Sequence, residues 1–237
     1  MPKRIWELDA LRGICILGMV VVHFVYDLVE FYQLVSWGYP PVIRFLLRWG
    51  GVLFLLISGI CVTLGRHHVR RGLIVFGAGL LCSAVTYGMY YFGFTDRSII
   101  IYFGVLHCLG LCMILWHPLR KLPAWVLGIV GLGLVAAGFW VDTLPSVEYS
   151  WLIPLGLTPR GFLSSDFFPL LPNFGFFLVG AVLGKTVYQN KVSLLPKVNS
   201  CNPILRLLQF CGRQSLWVYL LHQPLLNGLC YLLLLMK

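Results

Sequence analysis

Residues 8–29 read LDALRGICILGMVVVHFVYDLV. The stretch is almost wholly apolar, is long enough to cross a hydrocarbon core of about 30 Å as a helix, and yet carries an arginine, a histidine and an aspartate. It is too long, and too polar at Arg12 and His23, for a cleavable leader. Six further stretches of similar character follow at 44–65, 73–93, 99–117, 124–141, 169–187 and 214–235. Polar punctuation separates them: RHHVRRG at 66–72, FTDRS at 94–98, HPLRKLP at 117–123 and KVSLLPKVNSCNP at 191–203. The pattern predicts an all-α, polytopic transmembrane helical bundle of about seven or more spans, with 1–237 forming a single integral-membrane domain.

Composition agrees. Of 237 residues, 59% are hydrophobic and 11% charged, with a mean hydropathy of +0.86. A soluble domain carries about 25% charged residues, so this chain lacks the polar groups to cover a water-facing surface. The net charge of +10 would fit nucleic acid, but the cations sit at the span edges. With the N-terminus in the cytoplasm, thirteen Lys and Arg fall inside and five outside, whereas six of the eight acids fall outside. This asymmetry sets a cytoplasmic N-terminus and explains the basic balance without nucleic acid. The eight cysteines lie mostly in apolar runs as small hydrophobes. Cys108 and Cys112, at i,i+4, are the nearest pair, and neither a metal site nor a disulfide framework is expected.

Ionisable groups within spans are costly and usually face a cavity or a partner. His23 and Asp27 share a helical face. A carboxylate there could orient the imidazole, the arrangement a general base needs. Arg12, eleven residues earlier, is about three turns away on the same face, near the inner end. His107, in YFGVLHCLGL, lies at a depth similar to that of His23, so one cavity could hold both. His222, in SLWVYLLHQPLL, counts about eight residues from the inner end of its span, which groups it with Arg12 and Arg213, and Pro224 should break the helix beside it. Arg66 adds to a cationic inner rim. Arg48 and Trp37, near the outer end of the second span, are assigned to an acceptor. His67 and His68 read as solvated loop residues. Ser58 and Gly59 read as helix-packing residues, and 142–168 as a long external loop.

Five blocks resemble, in order, the heparan-α-glucosaminide N-acetyltransferase catalytic-domain family: RIWELDALRGICILGMVVVHFVYDL (4–28), LFLLISG (53–59), IYFGVLHCLGL (101–111), FFPLLPNFGFFLVGAVLGK (167–185) and GRQSLWVYLLHQPLL (212–226). Arg12-x10-His23 also resembles the signature of the wider acyltransferase-3 membrane enzymes. The resemblance implies acetyl transfer from cytosolic acetyl-CoA, as co-substrate, to an amino sugar or other glycan-type acceptor on the external face. Catalysis would fall to His23, Asp27 and His107, and acetyl-CoA binding to Arg12, His222, Arg213 and Arg66. A bacterial plasma-membrane enzyme, with a homodimer supported by small-residue faces such as GIVGLGLVAAG, completes the expectation. In EFYQLVSWG (30–38) the chain has no histidine where the family's lysosomal enzyme has one. Two other readings use the same residues. A transporter or non-catalytic membrane subunit would move a substrate without consuming acetyl-CoA, and a haem carrier would use His23 and His107 as axial ligands.

Overall fold

The computed structural model describes residues 5–36, 38–196 and 202–236. Among these residues eight α-helices succeed one another: α1 (Trp6–Tyr26), α2 (Pro41–Leu64), α3 (His68–Tyr91), α4 (Val105–Leu119), α5 (Ala124–Val141), α6 (Leu170–Thr186), α7 (Pro203–Arg213) and α8 (Ser215–Leu235). No strand occurs among the described residues; a single bridge joins Phe103 and Phe167. Proline sets several helix starts. Pro41 and Pro203 open α2 and α7, and Pro123 and Pro169 immediately precede α5 and α6, positions where the missing N–H costs nothing.

Among the described residues, five helices are long and apolar enough to cross a membrane: α1 with its following turn, α2, α3, α5 and α8. The apolar helices α4 and α6 are shorter, at 15 and 17 residues. All seven coincide with stretches the sequence marks as spans. The eighth, α7, lies where no helix is expected. Its start is nevertheless encoded: the Asn202 side chain caps it by accepting from the Ile204 N–H at 2.8 Å, and Pro203 follows. α8 runs unbroken through Pro224, contrary to the expected break, because neighbouring groups in a bundle can re-satisfy the carbonyl a proline frees.

The chain forms two compact units, residues 1–57 with 191–237, and residues 58–190. In the first, α1 packs on α7 and α8. The crossing of α1 and α7 is backbone-close: a methyl at Gly212 would lie 1.8 Å from the Asp9 carbonyl oxygen, and one at Gly13 2.0 Å from that of Leu208. Bundles in lipid pack by such contacts because no hydrophobic effect drives helices together there. The start of α1 is pinned to residues 193–195. Buried Glu7 accepts from Ser193 Oγ at 2.8 Å and from the Leu194 N–H at 2.7 Å, and Trp6 Nε1 donates to the Leu195 carbonyl.

The second unit consists of two antiparallel helix pairs and the end of α2. In α3–α4, Gly72 faces Gly110 and Ile114, and Gly79 faces His107. In α5–α6, Gly131 faces Gly175, and Gly138 faces Pro172. Ser58 is buried and Gly59 abuts the Phe177 carbonyl of α6, so both serve packing as expected. The loops 92–104 and 142–169, which join the pairs at one end, are stitched together. Ser164 and Ser165 donate to the carbonyls of Ile100 and Ile99, and the Phe168 N–H donates to the Phe103 carbonyl. The long loop is therefore an ordered cap containing a 3-10 turn, Ser150–Leu155.

Candidate active site

The polar groups of α1 fall on one face, and that face meets α8. At one end, Arg12 Nη2 donates to Ser215 Oγ at 2.8 Å. Further along, the rings of His23 and His222 make an edge contact with centroids 4.9 Å apart. Next, Gln223 Nε2 donates to both oxygens of buried Asp27, at 3.1 and 3.0 Å. Last, Tyr32 Oη donates to the Asn227 carbonyl and side-chain oxygens, each at 3.3 Å. The pairs ascend in the same order on both helices, so α1 and α8 run parallel along a polar seam. From Arg12 to Asp27 the seam extends about 22 Å by helical rise, most of the depth of a hydrocarbon core.

The π-helical turn Asp27–Phe31 closes α1. A π turn carries an extra residue per turn and re-aims the chain beyond it. It delivers Tyr32 to Asn227 after Asp27 has met Gln223. Burial, followed by the charges of Cys230 and Asp27, pushes the Tyr32 hydroxyl above its usual range, so it stays protonated and remains the donor.

The two imidazoles share one tautomer. His23 Nδ1 lies 2.9 Å from the Met19 carbonyl oxygen, and His222 Nδ1 lies 2.5 Å from that of Tyr219. A carbonyl can only accept, so each Nδ1 carries a proton, and in the neutral ring Nε2 then holds the lone pair. Among the described residues, His222 Nε2 is buried without a hydrogen-bond partner, as are Arg12 Nε and Gln223 Oε1. An unsatisfied buried polar atom costs about 1–3 kcal/mol and demands an explanation. The three are spread along the seam, from its Arg12 end to its Asp27 end.

Several sequence-based expectations change here. Asp27 is held by Gln223, and His23 is oriented by its own helix at Met19, so the tautomer a base needs is set by a backbone carbonyl instead of a carboxylate. His222 stands beside His23, not with Arg12 and Arg213. α8 begins already level with Arg12, so counting residues from its end misjudges depth. Arg213 is exposed, its Nε donating to the Gln209 carbonyl at 3.2 Å. Arg48 is exposed, with its guanidinium 5.6 Å from the Trp49 ring centre. Trp37 lies outside the described residues. Arg66 is exposed and belongs to the second unit.

His107 also belongs to the second unit, and its geometry is that of a helix cap. The Gly104 N–H donates to His107 Nδ1 at 3.2 Å at the start of α4. Nε2 lies 3.4 Å from Ser83 Oγ, whose own proton goes to the Ile101 carbonyl at 2.6 Å. Nε2 therefore carries the hydrogen, and both nitrogens are engaged. The ring is packed between Phe76 and Phe103. No lone pair is left for base catalysis or for iron, so His107 leaves the catalytic set and the haem reading loses one of its two ligands. His68 is buried, not solvated. Cys108 and Cys112 are buried with sulfurs 3.9 Å apart, and no cluster of metal-ligating groups occurs among the described residues.

The seam partners Ser215, Gln223 and Asn227 do not stand out in the sequence reading, although a signal exists. They and His222 are the polar residues of an otherwise apolar span, at spacings that keep them near one side of a helix.

The described residues thus form an all-helical fold with membrane-length apolar helices and an imidazole pair on a polar seam. The chain belongs to the heparan-alpha-glucosaminide N-acetyltransferase catalytic family, whose model matches residues 4–224. No curated protein and no solved structure matches the chain. The family makes this a transmembrane acetyltransferase.

Proposed function

We propose that the chain transfers an acetyl group from cytosolic acetyl-CoA to an amino sugar or other glycan-type acceptor on the opposite face, with seven spans and a cytoplasmic N-terminus in a bacterial plasma membrane. The reading rests on the His23–His222 pair, whose Nε2 atoms are left with their lone pairs midway along a seam that starts at Arg12. Arg12, with Arg213 on the same unit, meets the phosphates of the donor. One Nε2 removes the proton of the acceptor hydroxyl or amine as it attacks the thioester carbonyl, and the acetyl group passes to the acceptor as CoA leaves as the thiol. The second imidazole stabilises the charge that develops on the first. General-base catalysis of this kind is worth about 10²–10⁴-fold.

The test is transfer of labelled acetyl groups from acetyl-CoA in membrane vesicles, with His23→Ala and His222→Ala variants of matched folded content. Both should lose about 10²–10⁴-fold in rate. Full activity in both variants refutes the seam as the reaction site. Substrate flux without acetyl-CoA consumption favours the transport alternative.

A further inference from the structure

The charges of the second unit are segregated. Its four acids, Asp96, Asp142, Glu148 and Asp166, all lie in the two loops at one end. At the other end, the α2–α3 turn, the start of α3, the α4–α5 turn and the end of α6 carry Arg66, Arg70, Arg71, Arg120, Lys121 and Lys185, with no acid in these segments. Lys185 is turned aside, its ammonium donating to the carbonyls of Arg120 and Leu122. The remaining cations repel one another with no carboxylate from this unit's sequence to offset them.

A concavity of about 300 Å³ opens among these cations, lined by His67, His68, Val69, Arg70, His117 and Arg120. Three imidazoles and two guanidiniums thus converge from α3 and α4 on a space that no side chain of the lining fills. Guanidiniums match phosphate geometry. One turn further along α3 from Arg70, Leu73 and Ile74 are exposed, and the apolar exposure continues at Leu80 and Leu81. The concavity is therefore the polar lip of an aliphatic strip. A small soluble phosphate would use the lip and leave the strip unused, whereas an amphiphile with an anionic head uses both.

We propose that this concavity is a binding site for the phosphate of an anionic phospholipid, held between Arg70 and Arg120 with the imidazoles of His68 and His117 beside it and an acyl chain along Leu73 and Ile74. Basic pockets at the ends of membrane helices suit such head groups, at about 1 kcal/mol per cation. The site is independent of the seam and of any acetyl transfer.

The full chain, solubilised and delipidated, is exposed to mixed vesicles or micelles containing phosphatidylglycerol and phosphatidylcholine, and retained lipid is counted by native mass spectrometry. The wild type should retain phosphatidylglycerol preferentially. Arg70→Gln/Arg120→Gln should lower that preference roughly 30-fold, which is two cations at about 1 kcal/mol each. His117→Asn, at an exposed position that does not threaten folding, should lower it less. Arg97→Gln/Arg160→Gln, in the loops at the opposite end, should leave it unchanged. Equal retention of the two lipids overturns the proposal, and so does an equal loss in the Arg97/Arg160 control, which would show only a diffuse charge effect. Protection of the site by inorganic pyrophosphate without any lipid preference would assign the phosphate to a soluble ligand and overturn the lipid.

Discussion

The bond between Asp27 and Gln223 gives the seam its most measurable property. Asp27 is only 2% exposed, and Gln223 Nε2 serves both of its oxygens at 3.1 and 3.0 Å. Gln223→Leu keeps the side chain's approximate volume and removes the donor. A hydrogen bond to a charged group contributes about 1.5–3 kcal/mol, and a stranded buried acceptor costs about 1–3 kcal/mol more. The two overlap, so Gln223→Leu should destabilise by about 2–4 kcal/mol. Asp27→Asn retains a side-chain oxygen for Gln223 and should cost about 1 kcal/mol. Asp27→Leu/Gln223→Leu removes both ends and strands neither, so the double variant should be more stable than the sum of its singles by about 2 kcal/mol, within the range typical of residues in direct contact. The assay is reversible unfolding of the purified protein in mixed micelles, followed by circular dichroism across the four-member cycle. Additivity within about 0.5 kcal/mol would mean that the two side chains do not interact, and the register of α8 on α1 would then be wrong. Gln223 adjoins His222, so loss of this bond should also lower acetyl transfer per folded molecule.

His107→Phe should lower stability by about 1–3 kcal/mol through loss of its cap and of its bond to Ser83, while the rate per folded molecule stays at the wild-type level; a 100-fold fall in that rate would restore a catalytic role. Gly110→Val should destabilise by about 1–3 kcal/mol or more, since a methyl there would meet Phe76 N at 2.6 Å. Gly77→Ala, on the facing helix with open space around it, should be neutral or stabilise by up to about 1 kcal/mol; a thermal melt of both variants checks the α3–α4 contact. Outside the spans, burial and then the Glu30 carboxylate, which accepts from Tyr39 Oη at 3.0 Å, push the Tyr39 hydroxyl up to about 12. Its folded value exceeds its unfolded one, so its contribution is complete below about pH 10 and lost as pH rises toward about 12. Tyr39→Phe should remove that slope from the stability profile, and an unchanged slope would show that Tyr39 is not its source.

The apolar helices are legible because hydrocarbon tolerates little else for twenty residues, and prolines and cation runs mark where each must stop. α7 escapes the same reading because its Ile204, Leu207 and Phe210 alternate with Arg206 and Gln209, and no window over it is uniformly apolar. The face shared by Arg12, His23 and Asp27 follows from helical periodicity alone. Which helix meets that face does not, since partners two hundred residues apart leave no local trace. Depth counting failed for His222 because it treats every span as starting flush with the membrane edge. His107 shows the opposite limit: a histidine three residues after a glycine at a helix start reads equally well as a cap or a base, and only the partners of its two nitrogens decide.

The Arg12–Ser215 bond joins residues 203 positions apart. At elongation rates of roughly 5–20 residues per second, α8 emerges from the ribosome about 10–40 s after α1. Throughout that interval the first helix must carry its guanidinium, imidazole and carboxylate without their eventual partners, held by water, lipid head groups or the insertion machinery. Assembly of the seam is therefore a late step of biogenesis, and a nascent chain stalled before α8 would lack the proposed reaction centre and be a substrate for membrane quality control.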